Sequence, residues 1–186
     1  MLRRTRAPLG FTLVEVLIVV TLLAVLAAVA VPTLSTLDDR RVAVAAGEVR
    51  GALRLARAEA MRRGRSVLVD AESVPGHLRL YVASCASYGS GSTVVTDPRT
   101  KSAFDIDVVG GPFSAGVLVT PRFVASSGSA YAGLVFGADG SATEVCQVSG
   151  GNSQGAPQAG SQVLLSLANQ RASVNIDPPT GRVTGP

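Results

Sequence analysis

The sequence predicts an α+β protein in which one long N-terminal helix packs on an antiparallel, β-rich head of one or two sheets. Three observations lead there. Residues 11–37, FTLVEVLIVVTLLAVLAAVAVPTLSTL, form an apolar run of 27 residues in which Glu15 is the only charge. An apolar stripe at three- and four-residue spacing then continues to about residue 63. Beyond it the periodicity shortens to that of strands, with no helix-length run between them. At 186 residues the chain has room for one domain of ordinary size with an appendage.

Composition narrows the function. The chain is 47% hydrophobic and 16% charged, with a mean hydropathy of +0.35, which is apolar for a soluble domain. Five Phe, three Tyr and no Trp argue against a platform that stacks sugars or single-stranded bases on rings. A net charge of +4 and a pI near 9.7 point toward nucleic acid. Three of the 17 basic residues, however, are Arg3, Arg4 and Arg6, so loss of residues 1–10 leaves 14 basic against 13 acidic residues, a net +1.

The apolar run is long enough to span a bilayer, which needs about 20 residues at about 1.5 Å each. The arginines before it hold that end in the cytoplasm by the positive-inside bias and place the remainder across the membrane. An ordinary secretory signal has a shorter apolar core followed by a small-residue cleavage site. Here the small residue, Gly10, precedes the run.

That arrangement carries a resemblance. Gly10-Phe11-Thr12-Leu13-Val14-Glu15, after a short basic leader, resembles the type IV prepilin signal. The resemblance implies a pilin-like fold and a prepilin peptidase that cuts after Gly10 and methylates the new terminal Phe11. An uncut signal anchor is the alternative reading of the same run. The implied organisation is a leader at 1–10, a transmembrane and assembly half of the helix at 11–37, an amphipathic half at 38–64, and a periplasmic head at 65–186.

A carboxylate in hydrocarbon costs at least about 2.5 kcal/mol, so Glu15 needs a partner. In the family it resembles, that partner is the terminal amine of a neighbouring subunit, and one turn, about 6 Å of rise, separates Phe11 from Glu15. Snorkelling of Glu15 to the interface is the simpler alternative. Pro32 also matches the family, and an interior proline removes a helix hydrogen bond and kinks the rod.

Val42, Ala45, Ala46, Val49, Leu53, Ala56 and Ala60 form the stripe expected to pack on the head, and Gly64 is the expected stop. A single helix to about residue 63 would be about 80 Å long. Arg50, Arg54 and Arg57 lie together on another face, followed by Arg62, Arg63 and Arg65. Such a face can bind phosphate, or it can be solvated or paired with neighbours.

Strand-like runs follow at 66–70, 77–83, 92–96, 104–109, 116–120, 133–136, 142–148, 162–167 and 172–177. Turn signals at Pro75-Gly76, Gly110-Gly111-Pro112, Asp139-Gly140 and Pro178-Pro179-Thr180-Gly181 separate them. The polar stretch at 149–161 reads as a flexible surface loop. Cys85 and Cys146, the only cysteines, fall on the non-cytoplasmic side, where a disulfide is the expected state. Two cysteines and the lone His77 are too few soft ligands for a metal site, and His77 lies in strand-like alternation rather than in a nucleophile–base pair. Asp97, Asp105 and Asp107 could gather calcium, although alternate carboxylates on a strand are more often solvated. The reading is therefore of a protein that is not an enzyme and holds no cofactor or metal.

A strand after Phe136-Gly137-Ala138-Asp139-Gly140, a final hairpin and the terminal Gly181-Arg182-Val183 resemble the minor pseudopilins of the GspH/FimT family. Major pilins and the calcium-binding major pseudopilin are near alternatives. The resemblance implies a minor pseudopilin of a type II secretion pseudopilus or a type IV pilus. It would sit in the bacterial inner membrane, single-pass with a cytoplasmic N-terminus, and assemble with other minor and major subunits at or near the filament tip. The alternative is a FimT-like minor pilin that binds external DNA through basic residues, here Arg171 and Arg182 and the Arg50, Arg54 and Arg57 face. The tail departs from that pattern, because Val183 and Thr184 follow Arg182 where a second basic residue is expected. Few neutralised phosphates mean weak binding.

Overall fold

The computed structural model describes residues 12–89 and 91–185, and within its helix the side chains of residues 27–36 lie outside that description. Two compact units make up the chain, Met1–Leu37 and Asp38–Pro186. Helix α1 is assigned over Leu13–Arg63.

In the first unit α1 starts at Thr12. The Thr12 hydroxyl accepts the Glu15 amide proton at 3.2 Å, and its carbonyl accepts from the Glu15 and Val16 amides. Thr12 is therefore the N-cap, with Glu15 at the third helical position, the spacing of a capping box. Every described side chain from Thr12 to Leu26 is exposed. Among the described residues no helix is long and apolar enough to cross a membrane. The span expected at 11–37 draws on Phe11 and on residues 27–36, whose side chains are not described.

In the second unit α1 buries Val42, Ala45, Ala46, Val49, Ala52, Leu53, Ala56 and Ala60. Five of these eight are alanine, so the buried face of the helix is built largely of small side chains. Gly64 ends it at φ +59°, with its amide donating to the Met61 carbonyl and the Arg65 amide to Ala60. Those two bonds satisfy the last carbonyls in the Schellman pattern.

Twelve strands follow: β1 (Val67–Asp70), β2 (His77–Val82), β3 (Thr93–Val94), β4 (Asp105–Asp107), β5 (Leu118–Val124), β6 (Ala130–Tyr131), β7 (Gly133–Phe136), β8 (Ala142–Gln147), β9 (Asn152–Ser153), β10 (Gln162–Leu167), β11 (Gln170–Asp177) and β12 (Arg182–Thr184). One sheet has the order β3-β2-β1-β7-β8-β9 with β4 also on β2, and the other β12-β11-β10-β5-β6. The pairings are antiparallel throughout.

Strands β1 and β7 are buried on both faces. Val67, Val69, Leu134 and Phe136 enter the main core beneath α1, where Phe123, Val163, Leu165 and Val174 of the second sheet join them. Leu68 and Val135 point the other way, into a smaller cluster with Cys85, Cys146 and Val148, against which Tyr81 and Tyr88 pack. The period-two alternation of a strand explains the split.

Four segments differ from the sequence reading, one being strand β6, which lies outside every expected run and pairs with Phe123 and Val124. Strand β5 runs through Pro121 to Val124, although proline argues against a strand interior. Pro121 is tolerated because β5 has β10 on one side at 118–122 and meets β6 on the other only at Phe123 and Val124. The expected loop at 149–161 is pinned, since Cys146 and Gln147 pair with β9 and Ala125 bridges to Pro157. Residues 182–184 form a further strand, β12, registered on Asn175–Asp177.

Candidate functional site

The helix arginines form a ladder against the last strand. Arg50 donates to the Gly185 carbonyl at 3.0 Å, Arg54 to the Val183 carbonyl at 3.2 Å, and Arg57 through Nε to the Gly140 carbonyl at 3.0 Å. Strand β12 is a sheet edge, and its outward carbonyls would otherwise be open to another chain. Charged donors from a rigid helix satisfy them. The carbonyl of Gly140 is presented by a tight turn in which Asp139 accepts both the amide and the hydroxyl of Ser141, contacts that hold the Asp139 carboxyl below the usual range.

Glycine is required where that turn meets the tail. Gly181 has φ +60°, and a Cβ there would collide with the Gly140 carbonyl oxygen. Gly140, at φ +82°, has Met61 Sδ 2.7 Å from where its Cβ would be. The sequence reading marks both glycines as turn residues, but their apposition across 41 positions of sequence has no local signal.

Arg171 and Arg182 are exposed on β11 and β12, and Arg182 stands opposite Asp177 in the strand register. The ladder arginines aim at the β12 edge and the 139–141 turn, whereas Arg171 and Arg182 project from the strands themselves. On the same helix Glu59 accepts from Arg62 at 2.7 Å and from Arg63 at 2.6 Å. The Arg62 hydrogen bond, opposed by burial and reinforced by Arg63, lowers the Glu59 carboxyl to about 2.

The cysteines meet. Cys85 and Cys146 are bonded, with Cα atoms 5.5 Å apart, and tie the 83–92 segment to β8. Glu144 accepts the Cys85 amide proton at 3.2 Å. Tyr88 donates to the buried Asp70 at 3.2 Å and meets Tyr81 edge-on at 5.0 Å. Burial raises the Tyr88 phenol to about 12, a hydrogen bond with Ser73 opposing and the Asp70 charge adding. Among the described residues Cys85, Glu144 and Cys146 are the one group with metal-ligand spacing, and their two sulfurs are bonded to each other.

The acidic candidates are engaged by protein groups. Asp105 lies 2.8 Å from His77 Nδ1 and accepts from Arg79 Nε at 2.9 Å. Burial raises the Asp105 carboxyl, and the His77 and Arg79 bonds outweigh it, for a net lowering. Asp107 caps the Gly110 amide at 2.7 Å, and Asp97 caps that of Arg99 at 2.7 Å.

Glu15 is exposed in the first turn of α1, and no cation among the described residues pairs with it. Gly10 and Phe11 lie outside the described residues, as does the Pro32 side chain.

Comparison with known proteins adds the family. Residues 45–180 match the family described as type II transport protein GspH, and residues 6–31 match the prokaryotic N-terminal methylation motif. No curated protein matches. Two crystal structures of the type IV minor pilin FimU from Pseudomonas aeruginosa strain PAO1 are similar to this chain. In space group P21 the identity is 18% over 78% of this chain and 87% of FimU, with a TM-score of 0.48. In space group P65 it is 16% over 77% and 90%, with a TM-score of 0.46. A GspH match over most of the chain, on a helix packed against antiparallel sheets and behind a methylation motif, makes this chain a member of the GspH family of pilin-like proteins.

Proposed function

We propose that the chain is a minor pseudopilin. It is anchored in the bacterial inner membrane by residues 11–37, cut by prepilin peptidase after Gly10 and methylated at Phe11. It then assembles at or near the tip of a type II secretion pseudopilus or a type IV pilus, with its head in the periplasm. The observation that carries this reading is the pairing of a methylation motif at 6–31 with a GspH head at 45–180 in one chain. A disulfide in the head suits an oxidising compartment. Exposed apolar side chains on the described first turns of α1, Leu13, Leu17 and Leu23 among them, suit lipid or neighbouring helices.

The DNA-binding alternative has less support. Arg50, Arg54 and Arg57 donate to carbonyls of their own head, and Arg182 faces Asp177. Mass spectrometry of membrane-extracted protein tests the proposal. A chain starting at methylated Phe11 is expected in a host with active prepilin peptidase. A chain starting at Met1 there overturns it.

A further inference from the structure

We propose that Met61 is a reversible oxidation site, and that its sulfoxide draws the Arg57 guanidinium off the Gly140 carbonyl and so unlatches the 139–141 turn from the helix. The chemistry needs neither cleavage at Gly10 nor a filament.

The helix sets the placement. Arg57 and Met61 stand four residues apart on α1, hence on one face, and both lie over the 139–141 turn. Met61 Sδ is 2.7 Å and Arg57 Nε 3.2 Å from the point where a Cβ on Gly140 would sit. The thioether and the guanidinium therefore flank one small space, which is open because residue 140 is glycine. Met61 is 44% exposed, so a small oxidant in solvent has access to its side chain. The only other methionine of the chain is Met1. The two cysteine sulfurs are buried and already bonded to each other.

The reaction is an oxygen transfer from hydrogen peroxide. A sulfur lone pair attacks one peroxide oxygen, and an S–O bond forms as the O–O bond breaks. The thioether loses two electrons and becomes a sulfoxide, while the peroxide is reduced to water. A thiol-dependent sulfoxide reductase reverses the step, two thiols becoming a disulfide as the oxygen leaves in water.

Oxidation changes the hydrogen bonding of the joint. A thioether sulfur is a weak acceptor, whereas a sulfoxide is polar and carries negative charge on its oxygen. An oxygen on the Gly140 side of the sulfur enters the space that Arg57 Nε borders. Arg57 Nε has one proton, which it donates to the Gly140 carbonyl at 3.0 Å. A charged donor favours the more negative acceptor, so the bond passes from Gly140 to Met61. The turn then keeps its internal bonds, among them that from the Gly140 amide to the Gly137 carbonyl, but loses its tie to α1. The loosening reaches the tail because the Ala142 amide donates to the Pro178 carbonyl at 3.0 Å.

The test treats the full-length chain in detergent micelles with hydrogen peroxide, followed by peptide mass spectrometry and amide hydrogen exchange. One added oxygen is expected at Met61 of the folded protein, and exchange at Gly140 and Ala142 should quicken at least about threefold. A methionine sulfoxide reductase should restore the original rates. Met61→Gln, which carries a carbonyl oxygen, should quicken the same amides without peroxide. Met61→Leu should exchange alike before and after treatment. In Arg57→Ala, oxidation should add less than about twofold, because the bond it breaks is already gone. A folded chain whose Met61 stays unoxidised while the urea-unfolded chain is oxidised overturns the proposal, as does full oxidation with unchanged exchange at Gly140 and Ala142. Quickening that persists in peroxide-treated Met61→Leu overturns it too, as does an undiminished effect of oxidation in Arg57→Ala.

Discussion

Arg57 and Gly140 meet at 3.0 Å across 83 positions of sequence, the guanidinium of the first helix donating to the carbonyl of a turn that also abuts Gly181. The three residues act as one joint between the helix, the 139–141 turn and the tail.

Gly181→Ala is expected to destabilise the head by about 2–4 kcal/mol, combining left-handed backbone strain with a collision against the Gly140 carbonyl. Gly51→Ala should act in the opposite sense, stabilising by about 0.5–1 kcal/mol, because Gly51 lies within α1 and its Cβ would meet nothing within 4 Å. Thermal unfolding followed by circular dichroism checks both, and equal effects of the two substitutions would contradict the joint.

Removing a ladder residue separates a structural from a DNA-binding role. Arg57→Ala leaves the Gly140 carbonyl without its donor and is expected to cost about 1–3 kcal/mol. The same substitution should leave duplex DNA affinity, no tighter than about 10⁻⁵ M at about 150 mM salt, unchanged within twofold. A gel-shift titration showing submicromolar binding lost on Arg57→Ala or Arg182→Ala would reverse the assignment.

Reduction of Cys85–Cys146 should lower stability by about 2–4 kcal/mol, since the link closes a loop over 61 positions. The loss should appear first around Tyr81 and Tyr88, which pack on the same cluster. Thiol labelling before and after reductant, alongside near-ultraviolet dichroism, reads both effects. Labelling of native, unreduced protein at both cysteines would rule out the bond.

Acid should weaken the end of α1 through Glu59. Its folded value of about 2 lies below the ordinary 4.5, so its stabilisation is complete above about pH 4.5 and is lost as pH falls through about 2. Because Arg62 is 64% exposed, solvent screening reduces the contribution to about 1 kcal/mol. Glu59→Gln should flatten the stability profile between those pH values, and a variant that tracks the wild type throughout would exclude the assignment.

Glu15→Val should leave membrane insertion intact while lowering co-purification with other pilin-like subunits, because a polar group disappears from an apolar helix. Equal recovery of partners with both proteins would count against a register role for Glu15.

The buried stripe of α1 is readable because helical period and small apolar residues coincide, and Ala52 is its one buried position that the expected stripe omits. Gly64 announced the helix end for a backbone reason local to it. Strand β12 was hidden because Arg182-Val183-Thr184 is too short to alternate visibly and exists through Asn175–Asp177 and the ladder. Pro121 hid the second half of β5, since proline's exclusion from strands lapses where one side has no neighbour. The arginine face was visible as charge, yet its acceptors are backbone carbonyls more than 80 residues away, and carbonyls carry no residue-type signal.

The bonds from Arg50 to Gly185 and from Arg54 to Val183 span 135 and 129 positions. During synthesis the helix emerges long before residues 183–185 do, and loops of that length close late. Until they close, β11 has no outer neighbour at Asn175–Asp177. A chain interrupted before residue 183 stays in that state, with a bare strand margin prone to aggregation and proteolysis. The ladder thereby couples ordering of the β11 margin to residues 183–185, which are made long after the helix that holds them.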